Sequence, residues 1–207
     1  MKEITVETFV LGPLETNCYL LTSGKDAVVI DCGLEPLPLL RAIRDRDLNV
    51  QAIYLTHMHF DHIGGVADLQ KVTQAPVYGN TKDLYLNDIP IKDGGSQEYK
   101  EMVDFKIVDL QPGRMTILES PVMVFNTPGH TPGSLSYFFP TIGCVFVGDL
   151  IFMISTGRTD FPGGNHAELI QSIQKNIFIL PGTTKILSGH GPITTVKHEI
   201  ANNPLFA

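Results

Sequence analysis

The chain lacks any run of basic residues: its Lys and Arg are scattered and its formal net charge is −7. That argues against a nucleic-acid footprint or a polybasic membrane surface, although a bound metal could still supply positive charge locally. No stretch approaches eighteen consecutive apolar residues, and MKEITVETFV at the start has no apolar signal core. The expectation is a cytoplasmic protein that is neither secreted nor membrane-spanning. Cysteine is scarce. Cys18, Cys32 and Cys144 are odd in number, widely spaced and each inside an apolar stretch. They read as buried reduced thiols rather than as a disulfide or a nucleophile. No low-complexity tract or long linker divides the chain. Its 207 residues at 43% hydrophobic content suffice for one large domain with a real core, or two small ones. The Gly33 region has no G-x-G-x-x-G spacing, and no regular βαβ alternation runs through the middle, so a Rossmann reading is weak.

What the chain does have is THMHFDHIGG, Thr56 to Gly65, which follows the short apolar run Ala52 to Leu55. It places His57, His59, Asp61 and His62 within six positions. Such a cluster would be costly in a protein interior without a cation to hold it. Imidazole and carboxylate suit zinc, iron and similar divalent ions, so the donor set alone does not choose among them. The bland alternative is a histidine-rich surface turn, and the remaining histidines argue against it. His130 in TPGHTPGS and His190 in SGHGP lie in Gly/Pro-rich loops after strand-like runs, and Asp149 in FVGDL caps another such run. Five of the seven histidines and two aspartates thus sit at strand ends, where a rigid scaffold can aim loops at a common point. His166 and His198 fit better as helix-surface residues.

Alternation and turn signals predict strands at Val6–Leu11, Cys18–Leu21, Ala27–Asp31 and Ala52–Leu55. A second series is expected at Lys106–Leu110, Met115–Leu118, Val122–Phe125, Ser134–Phe139, Cys144–Val147 and Lys185–Leu187. Helical spacing predicts helices over Pro36–Arg46, His62–Gln74, Thr81–Leu86, Ala167–Ile179 and Thr195–Ala201. Strands followed by helices, twice, give an α/β sandwich with two mixed sheets in the middle.

At these residues the chain resembles the metallo-β-lactamase superfamily and, within it, the small single-domain glyoxalase II-like (hydroxyacylglutathione hydrolase-like) enzymes. The resemblance runs from TNCYLL at Thr16 to NNPLFA at the end, with HxHxDH, GHTPGS, GD and GH in order. It implies an αββα four-layer sandwich over residues 1–207 as a single domain, with the metal site at one edge. It implies one site of His57, His59 and His130, another of Asp61, His62 and His190, and Asp149 bridging them. Two divalent ions are expected, zinc foremost, with iron or manganese as alternatives. Asp61 would also orient a metal-bound hydroxide as the catalytic carboxylate. GRTDFPGG, Gly157 to Gly164, resembles a segment shared with the persulfide dioxygenases. Its Arg158 could hold an anionic substrate group or bond loop carbonyls and Asp160. Phe60 could wall the pocket or simply pack. Asp31 matches a family position that supports the first loop without binding metal, and Cys32 stands where the family often has proline. The extra C-terminal helical domain of larger glyoxalase II enzymes is not expected.

The expected function is hydrolysis of a small acyl thioester such as S-lactoylglutathione; the expected partner is that small molecule, with neither nucleic acid nor membrane. The alternatives are a mononuclear iron persulfide dioxygenase using His57, His59 and His130, or a hydrolase of another ester or a phosphodiester. A lactamase fits an acidic chain without a signal segment less well, and a non-catalytic binding protein would not need an intact ligand set.

Overall fold

The computed structural model describes residues 3–206. One sheet holds β1 (Thr5–Leu11), β2 (Thr16–Ser23), β3 (Asp26–Ile30), β4 (Asn49–Tyr54), β5 (Val77–Gly79) and β6 (Ile107–Asp109) in that order. The other runs β14-β13-β10-β9-β8-β7, from β14 (Thr194–Thr195), β13 (Lys185–Ser188), β10 (Cys144–Gly148), β9 (Leu135–Phe139), β8 (Ser120–Asn126) and β7 (Gly113–Ile117). Both are mixed. In the first, β1, β2 and β3 pair antiparallel and β3 to β6 parallel; in the second, β10 and β13 are the parallel pair.

Alternation sorts each strand between two cores. Tyr19, Leu21, Val28, Ile30 and Tyr54 face Val124, Tyr137, Phe139 and Phe146 between the sheets. Leu20, Val29 and Ile53 point the other way, onto α1 (Leu37–Asp45) and α3 (Val66–Thr73) through Leu39, Ile43, Val66 and Leu69. Val145, Val147 and Ile186 likewise back onto α4 (His166–Ser172), its π-helical extension Ile173–Ile177, and α5 (Val196–Asn202). Strands covered on both faces read as continuous apolar runs, which is why β2 and β10 carry so little polar alternation. The result is the expected order of helix, sheet, sheet, helix.

The three cysteines are buried and free. Burial pushes the Cys144 thiol up to about 12 and raises Cys18 and Cys32 as well, so none is a ready thiolate. No helix among the described residues is long and apolar enough to cross a membrane.

Some boundaries differ from the sequence reading. The helix expected over His62–Gln74 is two, α2 (Phe60–Ile63) and α3, parted at Gly64–Gly65. There the backbone closes on the Cys32–Leu34 loop: Gly65 N–H donates to Cys32 O (2.9 Å), and a Cβ on Gly65 would lie 2.4 Å from Gly33 O. The Thr81–Leu86 helix is a 3-10 segment, Thr81–Asp88. β5, β14 and the hairpin of β11 (Ile151–Phe152) and β12 (Ser155–Thr156) are two or three residues long, too short for a period to show.

Phe146 is fully buried and meets Tyr19 and Phe139 edge-on at 5.0 and 5.6 Å. Phe146→Ala should therefore cost about 3–5 kcal/mol in urea unfolding of the metal-free protein. A loss under about 1 kcal/mol would contradict a core shared by both sheets.

Candidate metal centre

The C-terminal ends of β3, β4, β8, β10 and β13 leave the sandwich at one edge, because β3 and β4 run parallel, as do β8, β10 and β13. Asp31 follows β3; His57 and His59 follow β4; His130 follows β8; Asp149 follows β10; His190 follows β13. Asp61 and His62 stand one and two residues into α2. All seven ligand-type residues expected from the sequence converge. Single donor atoms of His57, His59 and His130 lie within 4.8 Å of one another, as do those of His57, His62 and Asp149, and those of Asp61, His62 and His190. His166 and His198 stay outside the cluster, exposed on α4 and α5.

The imidazoles are held so that one nitrogen is occupied. The Nδ1–H of His62 donates to Asp31 Oδ2 (2.8 Å), that of His130 to Arg158 O (2.7 Å) and that of His190 to Leu14 O (3.0 Å). Thr56 Oγ1 donates to Asp31 Oδ2 (2.6 Å) and can then accept from His57 Nδ1 at 3.1 Å. In the neutral ring each such bond fixes the proton on Nδ1 and leaves Nε2 with a lone pair, as metal-binding histidines require. His59 turns its Nδ1 to within 2.8 Å of His130 Nε2. His57 Nε2 and His59 Nε2 are buried without a partner. Orphans of this kind are costly unless a ligand satisfies them.

Charge divides the cluster in two. Burial, then the neighbouring imidazoles, lowers His57 well below the usual histidine range and takes His59 down to about 3; burial lowers His130 too. These three are neutral donors near pH 7. Burial alone would lower His62 as well, but Asp61, Asp149 and Asp31 raise it well above its ordinary value. His190 is raised by its bond to Asp61 (3.1 Å) against the effect of burial. Burial would raise Asp61 and Asp149, yet His62 pulls both below the usual carboxylate range. In the absence of a metal, an imidazolium supplies the cation that these carboxylates need, and the buried donors suit a metal ion in its place.

The framework is tied across the two sheets. Asp31 also accepts from Thr56 N–H (2.8 Å), and Leu135 N–H donates to Thr56 O (2.8 Å). Asn17 Nδ2 spans Ser188 O and Gly191 O, at 3.0 and 2.9 Å, either side of His190. Thr16 Oγ1 donates to Asp61 Oδ2 (3.1 Å). Gly148, before Asp149, has φ +53°, and a Cβ there would lie 2.4 Å from Thr56 Oγ1, so glycine is required.

Arg158 is exposed, bonded twice to Asp160 at 2.7 Å, with its guanidinium 3.7 Å from the centre of the Phe161 ring. Phe60 is half-buried at the start of α2. The rings that abut the histidines are Phe161 against His59 (5.6 Å) and Phe152 against His190 (6.1 Å). Neither was singled out from sequence, nor were Thr16, Thr56 and Asp83; a lone aromatic or hydroxyl carries no spacing signal.

Strand ends that gather imidazoles and carboxylates at one edge of a four-layer sandwich define a metallo-hydrolase with a cluster suited to two ions. The chain belongs to the metallo-beta-lactamase superfamily, whose family model matches residues 11–190. It is 31% identical to the hydroxyacylglutathione hydrolase GloC of Haemophilus influenzae, over 97% of each chain. Among solved structures it is similar to the B3 metallo-beta-lactamase BLEG-1, with a TM-score of 0.88 and 36% identity over 98% of this chain and 100% of that one. TTHA1623, solved in a di-iron-bound form, gives 0.83 and 36% over 97% and 100%.

Stripping divalent ions with a chelator should lower Tm in calorimetry. Zinc, iron(II) or manganese restored at about a thousand times its Kd should add about 4 kcal/mol per ion bound. A Tm indifferent to all three would contradict a metal centre.

Proposed function

We propose that the protein is a two-metal hydrolase of small acyl thioesters, S-lactoylglutathione among them. The observation that carries this reading is the gathering of all seven donors, six of them in two triads, with Asp149 against both sets: its carboxylate lies 3.2 Å from His62, 3.5 Å from His190 and 3.7 Å from His130. In this reading His57, His59 and His130 hold one ion, Asp61, His62 and His190 hold the other, and Asp149 lies between. When bound, the ions supply hydroxide at neutral pH and polarise the substrate carbonyl. GloC, a hydroxyacylglutathione hydrolase by name, supports the thioester as substrate class. A one-iron dioxygenase would leave Asp61, His62 and His190 without a task.

The chain's own residues then have distinct work. Asp61, steadied by Thr16, orients the attacking water by accepting its hydrogen bond. His62 is kept in place by Asp31. Phe161 and Phe152 shield the histidines on two sides. Arg158 exchanges Asp160 for an anionic group on the substrate, and Phe60 lines the approach. A thiolate, with a pKa near 8.5, leaves without needing a proton from a side chain.

The reading is tested with purified, metal-loaded protein against S-lactoylglutathione, nitrocefin and, with an oxygen electrode, glutathione persulfide. Thioester turnover with two ions per chain is expected. Nitrocefin turnover alone would favour the lactam chemistry named for BLEG-1, and oxygen uptake on one iron the dioxygenase; either overturns this proposal. Asp61→Asn should lower kcat by about 10²–10⁴-fold with the fold retained by circular dichroism. A loss below tenfold would remove Asp61 from the chemistry.

A further inference from the structure

Asp83 is fully buried in the 3-10 segment Thr81–Asp88, which contributes no residue to the metal cluster. Its carboxylate is filled by donors from two loops. Oδ2 accepts from Met58 N–H (3.3 Å) and Thr131 Oγ1 (2.8 Å), and Oδ1 from Gly133 N–H (2.7 Å). Met58 lies between His57 and His59; Thr131 follows His130. One side chain therefore bridges the loops that carry the three neutral histidines. Burial pushes its carboxyl up to about 6 while the three donors pull it down, so near pH 7 the anion accepts all three bonds. The contact is close-fitting: a Cβ on Gly133 would lie 2.5 Å from Asp83 Oδ1.

We propose that Asp83 is a positioning residue for the three-histidine half of the centre. It fixes the His57–His59 loop against the His130 loop, holding His59 Nδ1 2.8 Å from His130 Nε2. The other half is tied by a different carboxylate, Asp31, through His62. Asp31 also reaches His57 through Thr56, whereas the donors to Asp83 all come from the loops of the three-histidine site, so damage to Asp83 is felt mainly there. A residue that holds a metal-binding loop without touching the metal commonly governs affinity by 10–100-fold. The proposal rests on the two-ion reading above, and the wild-type arm of its test probes that reading by itself.

The test titrates metal-free protein with cobalt(II), following visible absorption and counting bound ions by native mass spectrometry. His130→Ala identifies the step that belongs to the three-histidine site. Asp83→Asn puts an amide N–H₂ where an accepting oxygen stood, so one of Met58 N–H and Gly133 N–H loses its partner. It should weaken that step by about 10–100-fold and the other by less than about threefold. Gly133→Ala, which displaces the carboxylate and leaves its charge intact, should reproduce the pattern and serves if Asp83→Asn does not fold. Wild-type protein that binds two ions, with variants that weaken both steps alike or neither, overturns the role of Asp83 alone. Wild-type protein that binds no cobalt overturns the two-ion reading and this proposal with it.

Discussion

A protein interior tolerates an ionised carboxylate only where something positive or several donors meet it, and this fold gathers two, Asp61 and Asp149, at one edge beside five imidazoles. The strand order follows from that constraint as much as from burial. Five C-terminal strand ends open on the same side, and each delivers one polar loop to a point that the sheets themselves cannot supply. The cores on either side of each sheet keep those ends from moving. Without a packed scaffold the donors would sit on flexible loops, where a small displacement is enough to lose an ion.

Asp31 shows how local and global order meet. It has φ +58°, a left-handed conformation uncommon outside glycine, and the turn this makes aims its carboxylate at Thr56 and His62 at once. The strain is small beside the three bonds it permits. Through Thr56 the same carboxylate bears on His57, so a residue that binds no ion sets the tautomers of two that could. Asp83 does comparable work on the opposite flank. The electrostatic split between neutral and ion-paired halves follows from how many carboxylates each imidazole meets: His62 has Asp31, Asp61 and Asp149 and His190 has Asp61 and Asp149, whereas His130 has Asp149 alone, 3.7 Å away.

The sequence was informative where chemistry recurs at short spacing and quiet where contacts are long-range. His57, His59, Asp61 and His62 announce themselves within one turn of chain; His130, Asp149 and His190 were legible because each caps an apolar run beside glycine. The four layers followed from strands then helices, twice. The broken helix at Gly64–Gly65 was missed because its cause is the Cys32–Leu34 loop, thirty residues away in sequence. β5 was missed for a similar reason: its three residues hold their place only because β4 and β6 flank them. Asp83, Phe152 and Phe161 act across 25 to 50 positions or against rings brought by other strands, and no local pattern marks them.

The central claim is that this edge binds a pair of ions. Anomalous diffraction from crystals grown with the metal found in the purified protein, collected at that metal's absorption edge, tests it most directly. The account predicts two peaks about 3.5–4 Å apart, one among His57, His59 and His130 and one among Asp61, His62 and His190, with Asp149 between. A single peak, or none at this edge, would contradict it.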